Sequence, residues 1–208
     1  MSGAQGRCDG ARAPVVNRCE FGGSIDMPSA HIDNALPAGL AGDTLYDAGR
    51  RDIGVITGPL VSPLSRNCLV GVRASAERHG LSVRLQIRRG DFFPESGQRT
   101  AAEIIKAERP PTAIFSFRDE MAIGALAASR AAELSCPDDM SGVGFVDIAM
   151  ARCRAPSLTA IRQPVCCIGR RTVGLLLAIL ARPSAPPASV TLPHRLIVRQ
   201  SVAVHREP

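Results

Sequence analysis

The sequence predicts an α/β protein built on a parallel, doubly wound sheet, and three observations carry that reading. Short apolar runs alternate with amphipathic helical runs at the spacing of βα units along nearly the whole chain. The stretch Ala113–Phe117 is apolar and aromatic, as a strand buried on both faces should be. Arg118 and Asp119 interrupt it, and an alanine-rich run of high helix propensity follows, with Asp119 as its natural N-cap. Strand, polar switch and helix make half of a βαβ unit, with the polar residues at the carboxyl end of the strand, the edge where open α/β sheets bind ligands. Finally, 208 residues that are 45% hydrophobic can bury a core large enough for one large domain or two small ones.

Taken in order, Pro14–Val16 reads as a scrap of strand and Ser29–Asn34 as another that leads into a loop. A helix pattern begins after Asn34 and runs to Ala48, where Gly49 closes it. Asp52–Thr57 is the next strand, ended by Gly58 and Pro59; Ser62 as N-cap and Pro63 at the first helical position open a helix that stops at His79 and Gly80. Val83–Arg89 alternates apolar and basic residues, the pattern of a strand with one solvent-facing side. The loop Gly90–Gly97 feeds a helix at Pro94 that turns Ile104 and Ile105 to the core. After the central strand and helix come strands at Gly142–Phe145 and Leu158–Ile161, separated by a short turn. Val165, Ile168, Leu175, Leu176 and Ile179 then recur at helical spacing until Pro183–Pro187 breaks the pattern, and Arg195–Val202 is an extended segment that adds to the sheet.

Composition narrows the function classes. Aromatics are 3% of the chain, with no Trp and one Tyr, which argues against a stacking platform for single-stranded nucleic acid. The net charge of +6 comes from scattered arginines, the pattern of a solvated surface before that of a nucleic-acid face. Seven cysteines, an odd number without a C-x-x-C pair, point to free thiols in a reducing compartment, with neither a metal site nor a disulfide framework. Residues 1–12 read as a disordered tail that lacks the apolar core of a signal peptide, and the apolar run Val173–Ala181 is too short to cross a membrane. A cytoplasmic protein with no membrane partner, no cofactor and no metal is the expectation.

Several motifs together resemble one family. His31-Ile-Asp-Asn, Ile53-x-x-Ile-x-Gly-Pro, Leu69-x-Gly, Gly90-Asp-Phe-x-x-Glu-Ser-Gly, Thr112-Ala-Ile-Phe with Asp119-x-Met-Ala-x-Gly-Ala-Leu, Gly142-Val-Gly-Phe, Leu158-Thr-x-Ile-x-Gln-Pro and Arg195-Leu-Ile-x-Arg-x-Ser follow the order of the lactose/galactose-repressor family of bacterial regulators. Gly90–Gly97 and His194–Ala203 look most like its cytidine and purine repressors. The resemblance implies a type I periplasmic-binding-protein-like core, whose relatives carry a helix-turn-helix head, a hinge helix and two lobes with the effector between them. On that plan residues 34–162 and 188–204 form a complete effector-binding and dimerisation lobe. Residues 13–33 and 163–187 are a remnant of the N-terminal lobe, and no helix-turn-helix pattern precedes Pro14. A chain without a recognition helix is expected not to bind operator DNA specifically.

The resemblance also nominates residues. Phe92 stands where relatives stack an aromatic on the ligand, or it only packs against Phe93 and Ile104. Arg118 replaces an asparagine that precedes the capping Asp119; it contacts ligand, or lies on the surface paired with Glu120 or Asp147. Cys68 replaces a ligand-gripping arginine, with Arg66 on a different helix face, and is otherwise a small buried hydrophobe. Val146 replaces an aspartate, leaving Asp147 beside it. With Ser62, the expected ligand-binding set is Ser62, Cys68, Phe92, Arg118 and Asp147. A homodimer is expected through Glu120, Ile123 and Ala127 of the central helix and Cys153 and Arg154 of the later segment, with Met121, Ala125 and Ala132 packed on the sheet and Ile123 left to cover. Gly142 and Gly144 lack the third glycine of a dinucleotide site.

Four functions compete on this sequence. A regulator's effector and dimerisation core comes first, taking a nucleoside or nucleobase ahead of a sugar because Phe92 offers a flat face. A small-solute-binding protein of the same fold and a decayed member without effector are the alternatives. An α/β enzyme finds no nucleophile–base–acid set or metal-ligand spacing to support it.

Overall fold

The computed structural model describes residues 14–19, 27–80, 84–182 and 189–205. The tail and the proline-rich stretch singled out above, and Val83, fall outside them. The chain divides into two compact units, residues 1–31 with 165–192 and residues 32–164 with 193–208.

The larger unit is the α/β lobe. Its sheet has the strand order β4-β3-β5-β6-β7-β9, built from β3 (Ile53–Thr57), β4 (Leu85–Arg89), β5 (Ala113–Ser116), β6 (Ser141–Val146), β7 (Thr159–Arg162) and β9 (Arg195–Ile197). All pairings are parallel except β7 with β9. The five residues of β3 and the four of β5 are all buried, which is why these strands read as continuous apolar runs. The chain passes from β3 outward to β4 and returns to place β5 on the other side of β3, so the topological switch point lies between β3 and β5.

Helices α1 (Ala35–Asp47) and α2 (Pro63–Arg78) pack together, as do α3 (Pro94–Ile105) and α4 (Asp119–Ala131); α5 is the short Ala149–Arg152. α1 lies on β5, β7 and β9, α3 on β3 and β4, and α4 on β5 and β6. Contact between α3 and α4 is backbone to backbone: a Cβ on Gly97 would overlap the Met121 main chain, and one on Gly124 the Pro94 carbonyl. Phe115 sits 5.4 Å from Phe117 and 6.4 Å from Phe145 between ring centroids, all three fully buried. Each such ring contributes about 1.5–3 kcal/mol by burial, with about 0.5–1.5 kcal/mol more per aromatic pair.

Local signals held in part. Asn34 precedes α1, but the carboxylate that accepts from its first amides is Asp33, at 2.8 Å from Ala35 N and 3.2 Å from Leu36 N. Gly49, at φ +80°, closes that helix as its position implied. Ile104 is fully buried, whereas Ile105 is half-buried in the groove between α3 and α4. Ala132, expected against the sheet, is exposed just past the end of α4. β9 stops at Ile197 because the segment beyond it is held by Ser201, whose Oγ donates to Gly142 O at 2.6 Å and accepts from Thr159 N at 2.8 Å. Arg50 is fully buried and donates to the carbonyls of Pro137 and Asp138 at 2.7 and 2.9 Å and to His205 Nδ1 at 3.0 Å.

The smaller unit is a three-stranded parallel sheet, β1 (Asn17–Arg18), β2 (Ser29–His31) and β8 (Val190–Thr191), in the order β1-β2-β8, with α6 (Val165–Ala181) on β1 and β2. The first strand begins at Asn17 and not at Pro14: the ladder starts where Asn17 N donates to Pro28 O at 2.8 Å. Of the 17 residues of α6, Ile168 is the buried one.

Candidate functional site

The carboxyl ends of β3, β4, β5 and β6 gather most of the nominated residues. After β4 the chain turns through Gly90, Asp91 and Phe92, and Phe92 takes φ +76°, a conformation a bulky residue seldom adopts. Local bonds hold it there: Asp91 Oδ1 accepts from Phe93 N at 3.0 Å, and Ser96 Oγ accepts from Asp91 N at 3.1 Å while donating to Phe93 O at 2.9 Å. Ser96 and the Phe93 amide together hold the Asp91 carboxyl below its ordinary range. The Phe92 ring lies directly on Gly58, where a Cβ would overlap it, so the glycine after β3 is what lets the ring reach the switch point. Phe92 is half-buried, and Arg118 carries its guanidinium carbon 5.8 Å from the ring centroid, within cation–π range. Phe93, the other aromatic, is two-thirds exposed.

Arg118 pairs with Glu120 at 3.3 Å, a partly exposed pair of the kind that contributes about 0–1 kcal/mol. Arg118 is also the extended residue that precedes α4, at φ −150° and ψ 147°. Asp119 is therefore not the N-cap expected from sequence but the first helical residue. Its fully buried carboxylate instead accepts from Ile148 N at 2.7 Å, tying the start of α4 to the loop after β6. Among the described residues the other oxygen, Oδ1, has no hydrogen-bond partner. It sits where a Cβ of Gly144 would be, which accounts for a glycine the sequence left unexplained. Burial, with a smaller push from the Glu120 charge, raises the Asp119 carboxyl to about 6.

Asp147 turns inward. Val146 and Asp147 take φ +115° and +66° in succession, and the Asp147 side chain is fully buried between two arginines. Oδ2 accepts from Arg162 Nε at 2.5 Å and Oδ1 from Arg199 Nη2 at 2.6 Å, while Arg199 Nη1 donates to Leu158 O at 2.6 Å. Burial alone would raise this carboxyl, but the two guanidinium groups outweigh it and hold it below the usual range. Arg118 thus takes Glu120 as its partner, and Asp147 takes arginines from β7 and from the segment after β9. Sequence spacing gives no signal for either of those long-range partners.

The remaining nominated residues separate. Cys68 is fully buried in α2 and its thiol is pushed up by burial; it presents no surface to a ligand. Ser62 is half-buried in extended conformation at the head of α2. Three residues further on, Ser65 was not anticipated: its hydroxyl is fully buried beside Gly58 and makes no hydrogen bond among the described residues. On the helix face, Ile123 is 8% exposed and packs with Ala122, Ala151 and Leu158 inside its own lobe, which corrects the expectation of an uncovered isoleucine. The segment 149–158 folds back over α4 and covers it. Ala127 is half-buried and Arg154 exposed, and both line a groove of about 250 Å³ with Leu126, Arg130 and Pro156. Cys153 is exposed, and Glu120 is half-buried in its pair with Arg118. No helix among the described residues is long and apolar enough to cross a membrane.

The sequence profile of the periplasmic binding protein-like domain matches residues 43–202. The chain is 36% identical over 189 residues to the HTH-type transcriptional repressor CytR of Escherichia coli (strain K12), covering 90% of this chain and 55% of that protein. It is 39% identical over 180 residues to the HTH-type transcriptional repressor PurR of Shigella sonnei (strain Ss046), covering 86% and 53%. The chain spans about half the length of these curated relatives. Among solved structures, a LacI transcriptional regulator from a Rhodococcus species superposes with a TM-score of 0.86 at 25% identity, over 92% of this chain and 70% of that one. A dimeric Lac repressor with a C-terminal deletion gives 0.82 at 26%, over 89% and 68%. A complex of the transcriptional regulator CelR with cellobiose gives 0.82 at 26%, over 89% and 57%.

Proposed function

The chain belongs to the periplasmic binding protein-like domain family, as the effector-binding portion of a lactose/galactose-repressor-type regulator, and from that premise we propose that it senses a small, flat effector at the carboxyl edge of its six-stranded sheet. The observation that carries the reading is the Phe92 ring, seated on Gly58 at the switch point with the Arg118 guanidinium beside it. An aromatic face and a planar cation offer stacking and hydrogen bonding together, the chemistry of a nucleobase or nucleoside. Residues 32–164 with 193–208 form the effector-binding and dimerisation lobe in this reading; β8 (Val190–Thr191), expected in that lobe, belongs to the smaller sheet. Ser62, half-buried at the head of α2, lies at the same edge and serves as a polar contact.

A sugar is the second reading, favoured by the cellobiose complex among the structural neighbours. A solute-binding protein without a regulatory role is the less economical one, because the curated relatives are named as transcriptional repressors. The chain pairs with a second copy through the face that holds Ala127 and Arg154, with Glu120 at its rim; the neighbouring Lac repressor is itself described as dimeric. Sedimentation of Ala127→Arg tests that pairing.

Thermal shift and calorimetry of the 208-residue chain against nucleosides, nucleobases and sugars test the effector reading. A nucleoside or base is the expected ligand. Phe92→Ala should weaken it by about tenfold or more, since one base–aromatic stack contributes about 1–3 kcal/mol. A sugar as the sole ligand removes the stacking preference, and silence across the panel at millimolar concentration removes the effector.

A further inference from the structure

We propose that the effector carries a phosphate group and that Arg162 at the carboxyl end of β7 receives it. The inference rests on the effector reading above and concerns the same sheet edge.

Register places the residues. Val146 pairs with Arg162 across β6 and β7, and Phe115 pairs with Val143 across β5 and β6. Arg118 follows the end of β5 and Arg162 ends β7, with β6 between those two strands. Strands lie about 4.8 Å apart, so β5 and β7 are about 10 Å from each other, a gap that two long side chains can close on one anion. Val146, between them, contributes no counter-charge.

The charges around Arg162 do not cancel. Asp147 is one carboxylate shared by two guanidinium groups. Arg199 is the interior partner: its side chain is 11% exposed and its second bond goes to the Leu158 carbonyl. Arg162 is the outward one, with 43% of its side chain exposed. Asp147 holds only its Nε, and among the described residues no hydrogen bond occupies its two terminal nitrogens. A guanidinium fixed at Nε with its fork open is oriented for a phosphate, and an arginine fork binds such groups in two parallel hydrogen bonds. Arg118 differs, because Glu120 already counters its charge.

The backbone supports the same assignment. Two successive non-glycine residues, Val146 and Asp147, are kept in the left-handed region. Such positions are unfavourable for residues with a side chain and persist where the surroundings over-determine them. Here the strain aims one carboxylate at both arginines. Neutralising a buried carboxylate needs one arginine, and Arg199 supplies it; the second adds an exposed, oriented positive charge.

The test compares matched probes on the full chain by calorimetry at low salt: adenosine with adenosine monophosphate, cytidine with cytidine monophosphate, ribose with ribose phosphate, and inorganic phosphate alone. The phosphorylated member of at least one pair should bind about tenfold or more tighter than its neutral partner, the scale of one charge-assisted bidentate contact. Arg162→Gln should erase that difference while leaving the neutral partner's affinity within about twofold. Arg162→Lys should retain part of it, which separates lost charge from lost folding. Neutral members that bind as well as or better than phosphorylated ones overturn the inference and leave the effector reading intact. Inorganic phosphate binding as tightly as any nucleotide overturns it as an effector subsite. Binding by no probe overturns both readings.

Discussion

The two sheets of this chain solve the same packing problem with different completeness. In the larger unit the helices close so tightly on one another that Gly97 and Gly124 have no room for a methyl group. In the smaller unit a Cβ on Gly169 or Gly174 of α6 would meet nothing within 4 Å among the described residues, and Val173, Leu177 and Leu180 are 55%, 59% and 57% exposed. Both α4 and α6 are rich in alanine or leucine, and α6 is the more apolar in sequence. Apolarity therefore does not report burial. What decides is how many elements of the same unit crowd against the helix: α4 touches α3, β5 and β6, whereas α6 touches two short strands.

The sharpest way to break that comparison is one methyl group placed in each region. Gly124→Ala forces a Cβ into the Pro94 carbonyl, and backbone cannot yield without parting α3 from α4. Overpacking of this kind costs about 1–3 kcal/mol, and contact with main chain puts the effect at the upper end. Gly174→Ala enters open space in a helix interior and should stabilise by up to about 1 kcal/mol through propensity. Urea unfolding of both variants gives the signs. Equal losses would mean that α6 is as closely covered in solution as α4.

The density of the larger unit is also readable as pH dependence, with a somewhat smaller effect. Asp147 is held below the usual carboxylate range, so its contribution is present above the unfolded value and is lost as pH falls through the lower folded one. Asp119 runs the other way. With its carboxyl raised to about 6, its contribution is complete below the ordinary value near 4 and disappears as pH rises through about 6. Between those limits Asp119 is the one of the two that changes. Relative to wild type, Asp119→Asn should gain on the order of 2 kcal/mol on going from pH 4 to pH 7, whichever is the more stable at the start. A constant difference across that window would mean that the Asp119 carboxyl is not desolvated.

How much of this was legible in the sequence follows from the range of the interactions. Strand runs such as Ile53–Thr57 and Ala113–Ser116, the stop at Gly49 and the polar edge after β5 are encoded within a few residues, and they were readable. Arg50 was not: its partners are carbonyls at 137–138 and a histidine at 205, and any surface arginine has the same local context. Asp119 shows the same limit at closer quarters, since a helix-capping aspartate and one that reaches across to Ile148 have identical flanking sequence. Ile123 was misread because the helical pattern of α4 cannot show that Ala151 and Leu158 return to cover it. The site was half visible: Phe92 and Arg118 follow strand ends, while Ser65 and the Arg162–Asp147–Arg199 arrangement exist only once the sheet has assembled.

The smallest effects on stability, and the clearest on assembly, come from two exposed positions, one in each region. Ala127 lines the groove beside α4 with Arg130 and Arg154, and Leu177 lies on the open face of α6. Neither side chain fills its own core, so Ala127→Arg and Leu177→Glu should each stay within about 0.5 kcal/mol of wild type in urea unfolding. Their effects on association should diverge. A two-fold interface repeats any residue, so Ala127→Arg would bring two new cations to a groove that already holds two arginines per chain. Like charges set together at an interface cost several kcal/mol, enough to convert a micromolar dimer to monomer in sedimentation. Leu177→Glu should leave the dimer intact. If it is Leu177→Glu that dissociates the chain and Ala127→Arg that does not, the open face of α6 carries the self-association, and the less covered of the two regions is the one completed by a second copy.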